Sequence, residues 1–238
     1  MEKKAEELNT AKRAAGYRAA EMAENGMVVG LGTGSTVYYT IERLAERIRD
    51  GLTITGIPTS FQTALRARDA GIPLTTLDDS PVIDIAIDGA DEVDPRLRLI
   101  KGRGAAHLRE KCVAAAAKLF VVVVDEQKVV KKLGAAAVPV EVLPFAIIPV
   151  MAELRRLGCV PVIREAVKKD GPVITDNGNF IVDCKFAEIK NPEKLEAALA
   201  AIPGVIESGL FCGFGKKTTV IVGGPKKVKI ITSADIVA

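Results

Sequence analysis

The stretch VVGLGTGSTV, residues 28–37, passes from apolar side chains directly into glycines and hydroxyl groups. An apolar run of this length that ends in glycine is typical of a buried strand. We expect a helix from Ser35 or Thr36 to about Arg49, capped by one of those hydroxyls. Free N–H groups at a helix start, with the hydroxyl of Thr33, suit a phosphate monoester. The alternative is an ordinary strand-to-helix turn, because the glycine spacing matches no dinucleotide or nucleotide triphosphate loop.

Apolar runs and helical segments alternate on both sides of this stretch. A helix is expected at 2–24, and further helices follow Ser60 and Gly104. The expected strands lie at 27–31, 52–57, 82–87, 97–100 and 119–124. Continuous apolar strands that alternate with helices are typical of a mainly parallel sheet flanked by helices. The sequence therefore predicts an α/β, Rossmann-like fold whose ligands bind beyond the carboxyl ends of the strands.

The pattern changes after residue 132, where strand, helix, strand, strand and helix follow one another. This order predicts a smaller α+β domain of the ferredoxin-like type. Two later apolar runs, GKKTTVIVGG and VKIITS, read as strands that return to the first sheet. We therefore predict a Rossmann-like catalytic domain from residues 1–132 plus 207–238, into which the smaller domain, 133–206, is inserted.

The composition excludes several classes of protein. With 48% hydrophobic and 26% charged residues, the 238-residue chain is typical of a globular protein. A net charge of +3 without a basic stripe argues against nucleic acid or a membrane as partner. No apolar run approaches the roughly 18 residues that span a bilayer, and no signal peptide is visible. The four cysteines form no CxxC pair, which predicts free buried thiols in a reducing cytoplasm.

A second informative stretch is DGADEVDPRLRLIKGRGAAHLRE, residues 88–110. It opens with four carboxylates within seven residues: Asp88, Asp91, Glu92 and Asp94. Carboxylates this close are unfavourable unless solvent, cations or a metal ion compensates their charge. A solvated acidic turn and a magnesium site are both open interpretations. The cations that follow, Lys101 and Arg103, make a metal-free acid–base site more attractive.

The helix expected after Gly104 carries two further candidates. Glu110 would suit a general base if it faces a crevice, whereas an exposed Glu110 would only pair with a neighbouring cation. His107 lies one turn earlier on the same face of the helix. It is the only histidine of the chain, and a structural role explains it most simply. No elbow motif supports a nucleophilic serine triad.

Four motifs together resemble one known family. GTGST, DGADEVD, KGRGAAHLREK and TDNGN follow in the order and approximate spacing of the ribose-5-phosphate isomerase A family, and the resemblance covers essentially the whole chain. It implies an enzyme that interconverts D-ribose 5-phosphate and D-ribulose 5-phosphate without a metal ion or organic cofactor. It also implies a small phosphosugar as ligand and a homodimer or homotetramer as assembly.

The resemblance further implies a role for individual residues. Glu110 matches the base that carries a proton between C2 and C1 through a cis-enediolate. Asp88 matches the group that moves protons on the substrate oxygens, and Lys101 the cation that stabilises the enediolate. Together with Asp88 and Lys101, the residues that match substrate contacts are Lys12, Thr33, Gly34, Ser35, Thr36, Gly89, Ala90, Asp91, Gly102, Arg103, Gly104 and Lys128.

Other classes of protein share parts of this pattern. A non-catalytic module that senses a sugar phosphate would keep the phosphate loop but would not need Glu110, Lys101 and Asp88 together. A sugar-phosphate deaminase, a CoA transferase and a nicotinamide-dependent dehydrogenase fit the KGRG motif and its following glutamate less well. Arg103 departs from the family, in which many members have a third glycine, so it is either a further anion contact or a partner of Glu110.

Overall fold

The computed structural model describes residues 2–224 and 227–235, without the side chains of residues 2–4. In these residues the α-helices are α1 (Glu2–Ala20), α2 (Ser35–Arg49), α3 (Phe61–Asp69), α4 (His107–Ala116), α5 (Ile147–Arg156) and α6 (Pro192–Ala200). The strands are β1 (Val28–Leu31), β2 (Thr55–Pro58), β3 (Ile83–Gly89), β4 (Glu92–Val93), β5 (Leu99–Ile100), β6 (Ala117–Asp125), β7 (Val138–Val142), β8 (Cys159–Ile163), β9 (Phe180–Phe186), β10 (Val205–Ser208), β11 (Leu210–Phe211), β12 (Thr218–Gly223) and β13 (Val228–Thr232).

The chain divides into two compact units. The first comprises the described parts of 1–90, 109–129 and 214–238, and the second comprises 91–108 and 130–213. The second unit is larger than the domain predicted at 133–206. One reason is that β5 pairs with β11, a contact between residues far apart in sequence. The division into a catalytic and a smaller domain stays a prediction.

A six-stranded sheet forms the centre of the first unit. Its order is β13-β12-β6-β3-β1-β2, and all neighbours are parallel except β12 and β13. Helices α1, α2 and α3 pack against this sheet, and α1 also packs against α2. Its core is aliphatic, as the scarcity of aromatic residues requires, and includes Leu31, Leu44, Ile85, Ile87, Val121 and Ile221. The predicted Rossmann-like fold is therefore confirmed, and β12 and β13 return to the first sheet as expected.

The second unit contains the ferredoxin-like element order. Strands and helices follow as β7-α5-β8-β9-α6-β10, and the antiparallel sheet has the order β10-β7-β9-β8. A separate three-stranded sheet, β11-β5-β4, accompanies it. The sequence patterns missed β4, β10 and β11. Strands β4 and β11 have only two residues, and β10 has only two apolar residues before Glu207 and Ser208.

All four cysteines are free, as predicted. Cys159 and Cys184 are buried, but Cys112 is exposed, which corrects the expectation of uniformly buried thiols. Burial, together with the Glu196 carboxylate, raises the pKa of the Cys212 thiol above its ordinary value. None of the described helices is long and apolar enough to cross a membrane.

Candidate active site

The loop after β1 leads straight into the amino end of α2. Gly34, not Ser35 or Thr36, precedes the first helical residue, so the expected hydroxyl cap is wrong. Gly34 has a φ of 141°, a conformation that a side chain would strain. No side chain caps this helix, and its first turn contains no acidic residue. The first N–H groups of α2 therefore keep the geometry and partial positive charge that bind an anion.

The hydroxyl of Thr33 lies in a cluster of hydroxyl groups. Its Oγ1 lies 2.9 Å from Oγ1 of Thr59, 2.8 Å from Oγ of Ser60 and 3.2 Å from Oγ1 of Thr63. Thr63 in turn donates its hydroxyl to the carbonyl of Gly32 at 2.8 Å. The Thr33 hydroxyl thus joins the loop to the start of α3. The sequence analysis missed these three partners, although hydroxyls cluster visibly in the segment PTSFQT.

Asp88 lies at the carboxyl end of β3, directly beside the loop. Its side chain is buried, and Oδ1 accepts the backbone N–H of Thr33 at 3.2 Å and that of Gly89 at 2.7 Å. The backbone N–H of Gly32 also donates to the Ile87 carbonyl at 2.9 Å. The first residues of the GTGST and DGAD loops therefore lie against each other at the carboxyl ends of β1 and β3.

Glu110 is buried in the first turn of α4. Three residues further on, Val113 lies on the same face of the helix. A Cβ on Gly30 would come within 2.4 Å of Val113 and 3.0 Å of the Ala86 side chain. Helix α4 therefore packs on the sheet where β1 and β3 meet, and Glu110 belongs to its packed face.

The register of the sheet places both Glu110 and Asp88 at the carboxyl ends of the parallel strands. Helix α4 leads into the amino end of β6, where Ala117 pairs with Ile83, so its first turn points toward the carboxyl ends of the strands. Asp88 shares a sheet face with Ala86, two residues earlier, and that is the face that α4 covers. Asp88 lies about 6.6 Å beyond Ala86 along the strand. Glu110 lies about 4.5 Å beyond Val113 along the helix.

The two predicted phosphate-side lysines also belong to the first unit. Lys128 ends a short 3-10 turn that follows β6, and its side chain is partly buried. Lys12 is partly buried on α1. The carbonyl of its neighbour Ala11 lies so close to Gly223 that a side chain at position 223 would not fit. Both lysines therefore lie near the carboxyl ends of β6 and β12, on the edge that carries Asp88.

In the second unit, two further carboxylates of the acidic stretch, Glu92 and Asp94, have separate structural partners. Glu92 is buried and accepts the backbone N–H groups of Gly134 and Ala136. Asp94 accepts the backbone N–H groups of Arg96 and Arg98 as well as the Arg98 side chain. The described residues contain no group of three or more His, Cys, Asp or Glu side chains that would hold a metal ion.

The KGRG loop follows β5 in the second unit. Lys101 is buried, with Nζ 5.5 Å from the centroid of the Phe211 ring, and its N–H donates to the Gly209 carbonyl at 2.8 Å. Asp91, the remaining predicted carboxylate, accepts the N–H of Arg103 at 3.1 Å. Asp91 and Lys101 thus belong to one hydrogen-bonded loop system. The side chain of Arg103 is exposed.

His107 fills the space beside the same loop. Its side chain is fully buried, and Nε2 lies 3.2 Å from the Glu207 carbonyl. A Cβ on Gly102 would come within 2.7 Å of its Nδ1, and Gly102 has a φ of 109°. Gly102 is therefore required both by its conformation and by the imidazole against it. Gly89 has no such close side-chain neighbour.

The TDNGN motif surrounds a buried glutamate. One oxygen of Glu141, Oε1, accepts from Thr175 Oγ1 at 2.8 Å, Asn177 Nδ2 at 3.0 Å and Asn179 Nδ2 at 2.9 Å. Gly178, with a φ of 81°, closes the turn by donating to the Thr175 carbonyl. Sequence reasoning missed Glu141, although a charge inside the apolar run VPVEV is an unusual signal.

Replacing Gly32 with alanine tests how closely the loop must approach Asp88. The new Cβ would lie 2.2 Å from the Asp88 carboxyl carbon and 2.6 Å from its Cβ, so the carboxylate must move. We expect kcat for the isomerisation that the family resemblance implies to fall about 100-fold, which is the scale for displacing a catalytic group by about 1 Å. Gly213→Ala is the control, since its Cβ would meet nothing within 4 Å. Steady-state kinetics of both variants checks this, and an unchanged kcat in Gly32→Ala would refute it.

Comparison with known proteins adds independent findings. A family model described as Ribose 5-phosphate isomerase A (phosphoriboisomerase A) matches residues 55–227. Over 233 residues, 98% of each chain, the sequence is 68% identical to Ribose-5-phosphate isomerase A of Methanoregula boonei. The solved ribose 5-phosphate isomerase A from Methanocaldococcus jannaschii superposes with a TM-score of 0.89 at 47% identity, covering 93% of this chain and 98% of that one. A D-ribose-5-phosphate isomerase in complex with phospho-erythronic acid gives a TM-score of 0.91 at 46% identity, covering 94% and 99%.

Proposed function

This chain belongs to the ribose-5-phosphate isomerase A family, and from that premise we propose how its own residues interconvert ribose 5-phosphate and ribulose 5-phosphate. The observation that carries the proposal is the shared position of Asp88 and Glu110. Both side chains are buried, on one face and at one edge of the parallel sheet. One carboxylate is thereby available to move the proton on carbon, and the other to move the proton between the substrate oxygens.

Glu110 removes the proton from C2 of the open-chain aldose, which leaves a cis-enediolate. The same carboxylic acid then returns the proton to C1, so that the ketose forms without net change in the protonation of the enzyme. Asp88 moves a proton between the oxygens on C1 and C2 in the same interval. A positioned acid or base of this kind contributes about 10²–10⁴ to the rate.

We propose Lys101 as the cation that stabilises the enediolate oxygen. A charge held away from water is worth far more than one in bulk solvent, and a single such donor contributes about 3–4 kcal/mol. The burial of the Lys101 side chain supports this role. Gly102, Arg103 and Gly104 complete the loop beside it, with Asp91 to orient the sugar hydroxyls.

We propose that the phosphate binds at the amino end of α2. The glycine that precedes the helix, the neighbouring Ser35 and Thr36, and the lysines Lys12 and Lys128 support this assignment. Thr33 supports the site through its backbone N–H, which donates to Asp88, and the hydroxyls around its side chain hold it in place. Phosphate binding at this end helps to hold the reacting carbons in place.

Phospho-erythronic acid provides a ligand for testing the site, because a related isomerase was solved in complex with it. The acid combines a phosphate with a planar carboxylate, which resembles an enediolate in shape and charge. We propose that it binds here as well and competes with ribose 5-phosphate. Tight binding is expected of a ligand that resembles the transition state.

Formation of ribulose 5-phosphate from ribose 5-phosphate in the presence of EDTA tests the proposal as a whole. We expect sustained turnover, because the carboxylates and the lysine supply the chemistry without a metal ion. Phospho-erythronic acid should inhibit this turnover competitively. Binding of the sugar phosphate without turnover would instead support the sensing module, and loss of activity with EDTA would require a metal ion.

We propose that the enzyme is a homodimer or homotetramer in the cytoplasm. The edge strand β8 exposes Val160 and Val162 on one face, and Phe145 and Ile148 are also exposed in the second unit. Exposed apolar side chains on an edge strand favour association. The four free cysteines suit a reducing compartment. Light scattering at micromolar concentration should give two or four times 25.2 kDa, and a monomer would contradict the proposal.

A further inference from the structure

Arg164 follows β8 and donates to the loop that carries Lys101. Its Nη1 lies 2.9 Å from the carbonyl oxygen of Gly102 and 3.0 Å from that of Arg103. Two carbonyl oxygens directed at one nitrogen would repel each other without a cation between them. A guanidinium is well suited to this position, because it presents several N–H donors in one plane.

The opposite side of the same guanidinium is fixed by Asp183 in β9. Nε donates to Oδ2 at 2.8 Å, and Nη2 donates to Oδ1 at 2.5 Å. This two-point pairing fixes the plane of the guanidinium as well as its position. Only 17% of the Arg164 side chain is exposed, so water competes little for these donors.

The backbone on which Arg164 stands is itself held on both sides. Its N–H donates to the Ile181 carbonyl and its carbonyl accepts from Val173, each at 2.8 Å. Asp183 pairs with Val162 and Pro139 within the antiparallel sheet. The arginine and its carboxylate therefore belong to a rigid part of the second unit, which a positioning group requires.

The loop, in contrast, adopts a backbone conformation that needs support. Gly102 has a φ of 109° and Ala105 a φ of 57°, which is unusual for a residue with a side chain. Besides the bonds from Arg164, the loop backbone bonds to Asp91, which accepts the Arg103 N–H, and to the Gly209 carbonyl, which accepts the Lys101 N–H. Ala105 donates to the Gly102 carbonyl. Arg164 is thus the cation that bonds two consecutive carbonyls of this loop.

We propose that Arg164, held by Asp183, is a positioning residue that keeps the 101–104 loop in the conformation that presents Lys101. It touches neither substrate nor reacting atoms and acts through the carbonyls of Gly102 and Arg103. The inference rests on the proposed role of Lys101 in stabilising the enediolate. Loss of Arg164 should therefore lower kcat more than it changes KM, because the affected interaction is made in the transition state.

The test is steady-state kinetics of Arg164→Ala, with and without millimolar guanidinium chloride. We expect kcat to fall about 10- to 100-fold, in keeping with the cost of displacing a catalytic group by about 1 Å. Added guanidinium should restore a substantial part of kcat by occupying the vacated space between Asp183 and the two carbonyls. Arg164→Lys should be intermediate, since an ammonium keeps the charge but cannot make the two-point pair.

Arg47→Ala is the matched control. Arg47 also donates through one nitrogen to two carbonyls, those of Ala20 and Ala23, and 21% of its side chain is exposed. It lies in the first unit on α2, whereas the KGRG loop belongs to the second unit. Its removal should lower the unfolding temperature but leave kcat unchanged, and guanidinium should have no effect on its turnover.

Lys101→Ala separates failure of this inference from failure of the proposed function. If Lys101→Ala loses activity and Arg164→Ala keeps the wild-type kcat, the positioning role is wrong and the proposed site stands. If Lys101→Ala retains full activity, the proposed function of the loop itself is wrong. The positioning role would also be overturned if guanidinium did not restore kcat in Arg164→Ala and the variant had lost enough stability to explain its lower activity.

Discussion

Replacing Glu110 with glutamine should reduce kcat for isomerisation by about three orders of magnitude, within the range for loss of a positioned base. The amide has the shape of the carboxylate but cannot take the proton from C2. Asp88 and the amino end of α2 are unaltered, so KM and the affinity for phospho-erythronic acid should change little. In free-energy terms, such a loss raises the barrier by about 4 kcal/mol.

Glu153→Gln is the control for this substitution. Glu153 lies on α5 in the second unit, where it forms an exposed ion pair with Arg156. Exposed pairs of this kind contribute little to stability, so kcat and unfolding should match those of the wild type. Retention of more than a tenth of the wild-type kcat in Glu110→Gln would mean that another group is the base. Loss of phospho-erythronic acid binding would mean that Glu110 binds rather than reacts.

Glu141→Leu should be strongly destabilising. Glu141 is fully buried, and the substitution removes the common acceptor of Thr175, Asn177 and Asn179. A buried donor without an acceptor costs about 1–3 kcal/mol. Since Thr175 and Asn179 are themselves buried, we expect the free energy of unfolding to fall by about 3 kcal/mol. Urea denaturation of the variant measures this loss.

Glu141→Gln distinguishes the acceptor from the charge. The glutamine retains an oxygen for the three donors, so it should lose about 1 kcal/mol, the scale of an ordinary hydrogen bond. Equal losses in both variants would show that the negative charge, rather than the acceptor, stabilises the turn. A leucine variant as stable as the wild type would show that burying this carboxylate costs as much as its hydrogen bonds contribute.

Long apolar patterns predicted the fold because they depend on local sequence. Strand β6 contains the continuous apolar run LFVVVV, which only a sheet covered on both faces buries, and β3 alternates isoleucine with smaller or charged residues. In contrast, β4 and β11 owe their existence to pairing with β5. Their common partner β5 has only two residues, and it lies far from β11 along the chain. No periodicity indicates such pairs before the chain is folded.

The candidate site divides in the same way. Glycine, hydroxyl and charge patterns predicted a phosphate loop and a group of carboxylates, since each signal lies within a few consecutive residues. The cap of α2 was misassigned, because Ser35 and Thr36 are good caps by residue type while the backbone turns at Gly34. Arg164 lies 62 residues from Gly102, so nothing in its own neighbourhood indicates its contacts.

Glu92 shows where local interpretation stops. It lies among the carboxylates that sequence analysis grouped into one acidic site, yet it accepts two backbone N–H groups more than 40 residues away. Glu92 and Asp94 are thus compensated by separate partners in different parts of the chain. The sequence shows that these charges need compensation, but the fold determines what provides it.

In the proposed reaction Glu110 transfers a proton through an enediolate, and deuterium incorporation tests this transfer most directly. Ribose 5-phosphate is equilibrated with the enzyme and EDTA in D₂O over many turnovers, and NMR measures deuterium at C1 of ribulose 5-phosphate and C2 of ribose 5-phosphate. We predict deuterium at both carbons, because the protonated base exchanges with solvent between the two steps. Full interconversion without deuterium at either carbon would contradict this and indicate direct hydrogen transfer between them.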